Sequence, residues 1–171
     1  MIIWITGLSG SGKTTLAKAI ISKISKHQKK NIIHIDGDTF RSFFNDLGFT
    51  LKDRLINAER VSKLVNFLNK KTNILIVVSL LSISQKWLNW NKKNNKKYFQ
   101  IFLDVPVSIL KKRNVRNIYS NKKNVVGVDI KYNKPQNNYI TFKNNFKKNF
   151  LKIARKKILS DKKISRLLKK I

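Results

Sequence analysis

Apolar runs alternate with helix-spaced apolar positions along most of this chain. Ile2, Ile3, Trp4 and Ile5 form a short apolar run that stops at Gly7 and predicts a buried strand. Leu16, Ala17, Ile20 and Ile21 then recur at helical spacing and predict a helix over 13–25, followed by a polar stretch at 26–30. Residues 31–35 read as a second strand. Residues 39–47 read as a helix ended by Gly48. Leu55, Ala58, Val61, Leu64, Val65 and Leu68 place a long helix over 51–68. The continuous apolar stretch 73–81 suits a strand covered on both faces. A helical stretch carrying Trp87 and Trp90 follows, its aromatics at a spacing that favours packing. Residues 98–105 predict another strand, closed by Asp104 and Pro106, and a helix begins over 107–113. Residues 114–124 are polar and lack a period, as a mobile lid or an ordinary surface loop would be. Residues 139–142 suit a last short strand, and 146–171 is basic and amphipathic, read as one or two helices packing on the sheet. The alternation predicts an α/β fold in one domain spanning 1–171: a mostly parallel five-stranded sheet, helices on both faces and a C-terminal helical segment over 143–171.

Between the first strand and the first helix stands Gly7-Leu8-Ser9-Gly10-Ser11-Gly12-Lys13-Thr14, which fits G-x-x-x-x-G-K-[ST] at every fixed position. Glycines let such a loop turn tightly and bring its N–H groups to face a phosphate. The helix N-terminus adds its positive dipole end to the same point. Lys13 can reach the β/γ-phosphates and Thr14 can place a hydroxyl on Mg²⁺. The loop predicts a protein that handles a nucleoside triphosphate.

The second predicted strand ends in Asp36-Gly37-Asp38. Ligands of open α/β sheets gather at the carboxyl ends of strands, and two carboxylates there suit Mg²⁺ coordination and deprotonation of an attacking hydroxyl. Asp38 could instead cap a helix beginning at Thr39. His34, inside the strand, reads as packed or surface. Arg54 and Asn57 are i, i+3 neighbours on one helix face, a binding pair or a solvated face with Asp53 as a cap. Ser79 and Ser82 lie near the carboxyl end of the third predicted strand.

Charge changes this picture less than its size suggests. Lys and Arg number 38 against 8 Asp and Glu, for a formal net charge of +30. The lysines are spread along the chain, with no single basic arm and no aromatic-basic RNA motif. We therefore expect nonspecific polyanion affinity at low salt and no specific nucleic-acid partner. There is no cysteine, which removes disulfides, thiolate metal sites and a thiol nucleophile, and fits a reducing, cytoplasmic location. The first apolar run is too short to span a bilayer, so no membrane partner is expected.

Taken jointly, GLSGSGKTT (7–15), DGDTFR (36–41), LGF (47–49), Asp53 with Arg54, Asn57 and Arg60, the strand into Leu81-Ser82, LDVP (103–106), Arg113, VVGVD (125–129), and Tyr132 with Pro135 resemble the adenylylsulfate kinase family over roughly 2–142. The resemblance implies a P-loop NTPase/kinase-type three-layer sandwich that uses ATP and Mg²⁺ to phosphorylate the 3′-hydroxyl of adenylylsulfate, a step of sulfate activation. It implies ATP contacts from Gly7, Leu8, Ser9, Gly10, Ser11, Gly12, Lys13, Thr14, Thr15 and Arg113. It implies catalytic roles for Asp36, Asp38, Lys13 and Ser82, and metal contacts from Thr14 and Asp38. Ser82 aligns with a serine that parts of the family assign as a phosphorylated intermediate, although in-line transfer needs only positioning and charge stabilisation. The acceptor site would comprise Arg41, Phe49, Arg54, Asn57, Leu81 and Arg116, with Phe49 available for base stacking and the arginines for the oxyanion. A homodimer is compatible with the pattern.

The sequence also departs from the family. Ile83 stands where a proline follows the serine, Val125-Val126 replaces the aromatic-threonine pair, and the lid before Val125 is shorter. Members of the V-V-G-V-D type resemble cytidine diphosphoramidate kinases of capsule synthesis, which keep the chemistry and change the nucleotide. A third reading is a basic, noncatalytic P-loop protein that binds nucleotides or polyanions.

Overall fold

The computed structural model describes residues 1–27, 31–81, 83–121 and 123–171, with their side chains except those of Lys26, His27, Arg116 and Asn121. In chain order its elements are β1 (Ile2–Gly7), α1 (Lys13–His27), β2 (Ile32–Asp36), α2 (Gly37–Arg41), α3 (Leu51–Lys71), β3 (Leu75–Leu80) and α4 (Gln85–Asn94). There follow β4 (Tyr98–Asp104), α5 (Val107–Arg113), a 3₁₀ turn (Val115–Asn117), α6 (Ile118–Asn121), β5 (Ile140–Lys143), α7 (Phe150–Ser160) and α8 (Lys162–Leu168).

The five strands form one sheet of order β2-β3-β1-β4-β5, and every pairing is parallel. Alternate residues of a strand point to opposite faces, and here both faces are covered. Ile3 and Ile5 join Leu75, Val77 and Ile101 on one face, where Leu16 and Ile20 of α1 and Ala154, Ile158, Ile164 and Leu168 of α7 and α8 close the layer. Ile2, Trp4, Ile76 and Val78 face the other way against Ala58, Val61 and Val65 of α3 and Leu88 of α4. The basic C-terminal helices therefore bury their apolar stripe on the sheet, as their periodicity predicts. Trp87 and Trp90 meet edge to face at 5.5 Å, which makes that pair a packing contact.

Two expectations about the second helix fail. It stops at Arg41 and does not reach 47, because Phe43 and Phe44 leave it in a turn: their N–H groups reach the Phe40 and Arg41 carbonyls. Arg60 then holds the turn, pairing with Asp46 at 2.6 Å while its guanidinium lies 4.5 Å from the Phe44 ring centroid. The cap is Asp36, the last residue of β2 and two positions before Asp38; its Oδ1 accepts the N–H groups of Asp38 and Thr39. Asp53 does act as a cap residue, in a reciprocal capping box with Thr50.

Gly37 lies where α2 starts against β3. A Cβ there would collide with Leu80 Cδ1 and sit 3.4 Å from the Leu80 Cα. Gly37→Ala is expected to lower stability by about 1–3 kcal/mol, as overpacking does. It should also displace both flanking aspartates, so thermal melting and turnover should fall together.

Candidate active site

β1 ends at the centre of the sheet, and the loop that follows folds back over its carboxyl end before α1 begins. Gly10 and Gly12 sit at φ 75° and 94°, positions an L side chain rarely adopts. Lys13 curls over the loop and donates from Nζ to the Leu8 carbonyl at 2.9 Å. Burial lowers its pKa from 10.5 to about 8, against the charges of Asp38 and then Asp36, which raise it. The ammonium thus waits in a poorly solvated place, held by weak partners that a phosphate could replace.

Beside it, Asp36 closes β2 in register with Ser79 of β3. Its Oδ2 accepts the hydroxyls of Thr14 at 2.7 Å and Ser79 at 2.8 Å. With the two backbone donors to Oδ1, four hydrogen bonds converge on one carboxylate. Partial burial favours its neutral form, but those donors outweigh burial and hold Asp36 below the usual carboxylate range. Among the described residues nothing donates to the Asp38 carboxylate, and Asp38 is exposed to the cleft. Two acids two positions apart therefore differ in kind: one is locked and anionic, the other free to meet a ligand. Asn57, fully buried on α3, donates to the Gly37 carbonyl at 3.2 Å and ties the acidic loop to that helix.

The acidic loop and the glycine loop open on one cleft of about 370 Å³. Lys13, Thr14, Thr15, Ser9, Gly10, Gly12, Asp36, Asp38, Arg54, Leu81 and Arg113 line it. Leu8 and Ser11 instead lie buried under the loop, and Gly7 forms the last residue of β1. Arg41 and Arg54 flank the Phe49 ring, their guanidinium carbons 4.7 and 5.6 Å from its centroid. Arg41 is buried, and its Nε and Nη1 have no hydrogen-bond partner among the described residues. Burial lowers the pKa of both arginines, and Arg41 lowers that of Arg54 further. A buried cation with idle donors, next to a second cation, is a place prepared for an anion. Arg54 also donates from Nη2 to the Asn124 carbonyl at 3.0 Å. Ser82 and the Arg116 side chain, both expected at the site, lie outside the described residues.

Several participants have no motif behind them. Phe146 stacks on Arg113, with the guanidinium carbon 3.4 Å from the ring centroid. Asn144 carries this contact: its Nδ2 donates to the Ser11 carbonyl at 3.0 Å and its Oδ1 accepts the Phe146 N–H at 2.8 Å. The Asn-Asn pair before Phe146 is a turn signal, and α7 begins only at Phe150, so the helical segment starts later than its amphipathic pattern predicts. Tyr119 lies in the stretch read as aperiodic, which here forms a 3₁₀ turn and α6; its hydroxyl donates to the Ser9 carbonyl at 2.8 Å and ties α6 to the glycine loop.

Mg²⁺ is the metal such a loop implies. The oxygens of Thr14, Asp36 and Asp38 form a hard donor set with few carboxylates, which suits an ion completed by phosphate and water. No helix among the described residues is long and apolar enough to cross a membrane.

Comparison with known proteins agrees with this geometry. The adenylylsulphate kinase family profile matches residues 1–143. A cytidine diphosphoramidate kinase from Campylobacter jejuni is 35% identical over 140 residues, covering 79% of this chain and 81% of that protein. An adenylyl-sulfate kinase from Clostridium acetobutylicum is 33% identical over 146 residues, covering 82% and 72%. Among solved structures, the Mycobacterium tuberculosis APS kinase, in complex with AMPPNP and APS, superposes with a TM-score of 0.80 at 24% identity, covering 98% of this chain and 96% of that one. With a P-loop and an acid pair facing one cleft, the chain belongs to the adenylylsulfate kinase family, whose members are phosphotransferases with hydroxyl acceptors.

Proposed function

We propose that the protein transfers the γ-phosphoryl group of ATP to the ribose 3′-hydroxyl of a small anionic nucleotide, with adenylylsulfate as the acceptor. The observation that supports this most is the cleft shared by Lys13, the acid pair and Arg54, with the buried Arg41 and its idle donors against the same Phe49 ring as Arg54. In this reading the glycine loop and Lys13 hold the triphosphate. Arg41 and Arg54 hold the acceptor's anionic group, and Phe49 stacks its base. Asp38 takes the proton of the ribose hydroxyl as its oxygen bonds to the γ-phosphorus, while the bond from that phosphorus to the β,γ-bridging oxygen breaks and ADP departs. Thr14, with Asp36 fixing its hydroxyl, would hold Mg²⁺, which when bound would supply charge neutralisation on the phosphates.

A second acceptor, cytidine diphosphoramidate, is favoured by two observations. The Campylobacter relative carries that name. Val125 and Val126, both buried, also stand where an aromatic-threonine pair is usual. Competing initial rates on the two acceptors with saturating Mg-ATP separate the readings. Transfer to the cytidine nucleotide alone would replace the first acceptor by the second. Transfer to neither would remove the kinase reading and leave a nucleotide-binding scaffold.

The Lys13 charge gives a pH signature. With its pKa near 8 in the free protein, Lys13 is protonated at neutral pH and binds phosphate as a cation. Affinity for AMPPNP should be flat around neutrality and fall by about tenfold per pH unit above 8, until the pKa of the bound state is reached. Stability of the ligand-free protein should move the opposite way. The unfolded chain keeps its Lys13 proton up to 10.5, so it binds more protons between 8 and 10.5 and stability rises there. Isothermal titration across this range checks the first trend, and thermal melting checks the second.

A further inference from the structure

Ser79 is almost fully buried and its hydroxyl touches two polar groups. One is Asp36 Oδ2 at 2.8 Å; the other is His34 Nε2 at 3.0 Å. A serine has one proton to give. The Asp36 carboxylate is anionic and can only accept, so the Ser79 proton goes to it. Ser79 must then accept from His34, which places a proton on Nε2. The chain of donation runs in one direction: His34 Nε2–H to Ser79 Oγ, Ser79 Oγ–H to Asp36 Oδ2. Both the neutral Nε2–H tautomer and the protonated ring can make the first bond, so the direction survives either state of His34.

The sheet explains why these residues meet. His34 and Asp36 are two apart on β2 and so share a face, and Ser79 is the β3 residue in register with Asp36. That face is the one against which α1 packs, and α1 carries Thr14 in its first turn. Thr14 gives its proton to the same Oδ2. With that proton committed, only lone pairs of the Thr14 oxygen remain to face the cleft, which is the state a cation needs. The orientation of Thr14 thus depends on where Asp36 Oδ2 points. That in turn depends on Ser79, whose own rotamer is fixed by His34.

We propose that His34 and Ser79 are positioning residues that aim Asp36 and Thr14 at the Mg²⁺ of the bound nucleotide. This rests on the kinase reading for its biological use, but its test reads binding directly. The experiment measures AMPPNP affinity of the full chain by isothermal titration, once with MgCl₂ and once with EDTA, and takes the ratio as the gain due to Mg²⁺. Ser79→Ala should reduce that gain by about 10-fold or more, as the loss of a group that orients a metal ligand does. Its affinity in EDTA should stay at the wild-type value. Ser79→Thr keeps the hydroxyl and should keep the gain. His34→Leu should lose about 3- to 10-fold, the range for one hydrogen bond, and His34→Gln, whose amide nitrogen can stand near Nε2, should restore most of it. The proposal is overturned if Ser79→Ala and His34→Leu keep the wild-type gain. It is equally overturned if they lose affinity alike with and without Mg²⁺, since that is what general distortion would do. The two conservative variants guard against reading misfolding as support. Failure of the wild type to phosphorylate either acceptor, with the Mg²⁺ gain intact, would count against the kinase reading alone.

Discussion

Asp38→Asn should lower kcat by about 10³-fold, within the range for a lost general base, while AMPPNP affinity changes little. The expectation follows from the unequal surroundings of the two acids. Asp36 is engaged by Thr14, Ser79 and two backbone N–H groups, and has little capacity left for a substrate proton. Asp38 has no donor among the described residues and faces the same cleft as Lys13. An amide there keeps the shape and removes the proton acceptor. Asp36→Asn should act differently. The amide keeps one acceptor oxygen, which can still cap α2, while its nitrogen then faces the Thr14 and Ser79 hydroxyls and cannot accept from them, so Mg²⁺-dependent affinity should fall along with kcat. Steady-state kinetics and titration on the two variants would show the split. If Asp38→Asn turned over at the wild-type rate, the proton would have another destination and the assignment would be wrong.

The second large effect is expected at Lys13. Lys13→Met should weaken AMPPNP binding by about 10²-fold, the size of one or two hydrogen bonds to a charged group. Adenosine, which has no phosphate, should bind both forms equally. The methionine retains much of the aliphatic stem that lies in the cleft, so the loss should come from the ammonium alone. It should also abolish the fall in affinity above pH 8, because the titrating group is gone. An equal loss for adenosine and AMPPNP would mean that the loop had been deformed, and that the cation has no special role.

The parts of this protein that were legible in the sequence are those where one physical signal acts alone. β1 and β3 are apolar on both faces, so a continuous run is all that marks them, and the glycine loop between β1 and α1 carries its geometry in its glycines. Difficulty begins where signals compete. Phe40, Phe43, Phe44 and Leu47 fall close to a helical period and predict a longer α2. The aromatics instead cluster, Phe40 meeting Phe43 and Phe44 edge to face at 6.4 and 5.2 Å, and the chain turns so that Arg60 can cover Phe44. Asp38 had the spacing of a cap, yet Asp36 takes that role, because β2 runs straight into α2 without a loop. His34 read as a packed or surface residue because its partner Ser79 is 45 positions away, and only strand pairing brings them together. The same holds for Asn144, whose bond to the Ser11 carbonyl spans 133 positions.

The order of the strands has a consequence for how the chain is made. β1 is the middle of the sheet, and both of its neighbours, β3 and β4, come later in the sequence. At ordinary elongation rates of about 5–20 residues per second, a ribosome needs roughly 5–20 s to pass from β1 to the end of β4. Ile2, Ile3, Trp4 and Ile5 have no native strand to pair with until β3 is made, about three-quarters of the way through that interval, and the other side stays open until β4 follows. A nascent chain is expected to depend on holding factors over this window, and refolding from denaturant should be slow and should yield more aggregate as protein concentration rises.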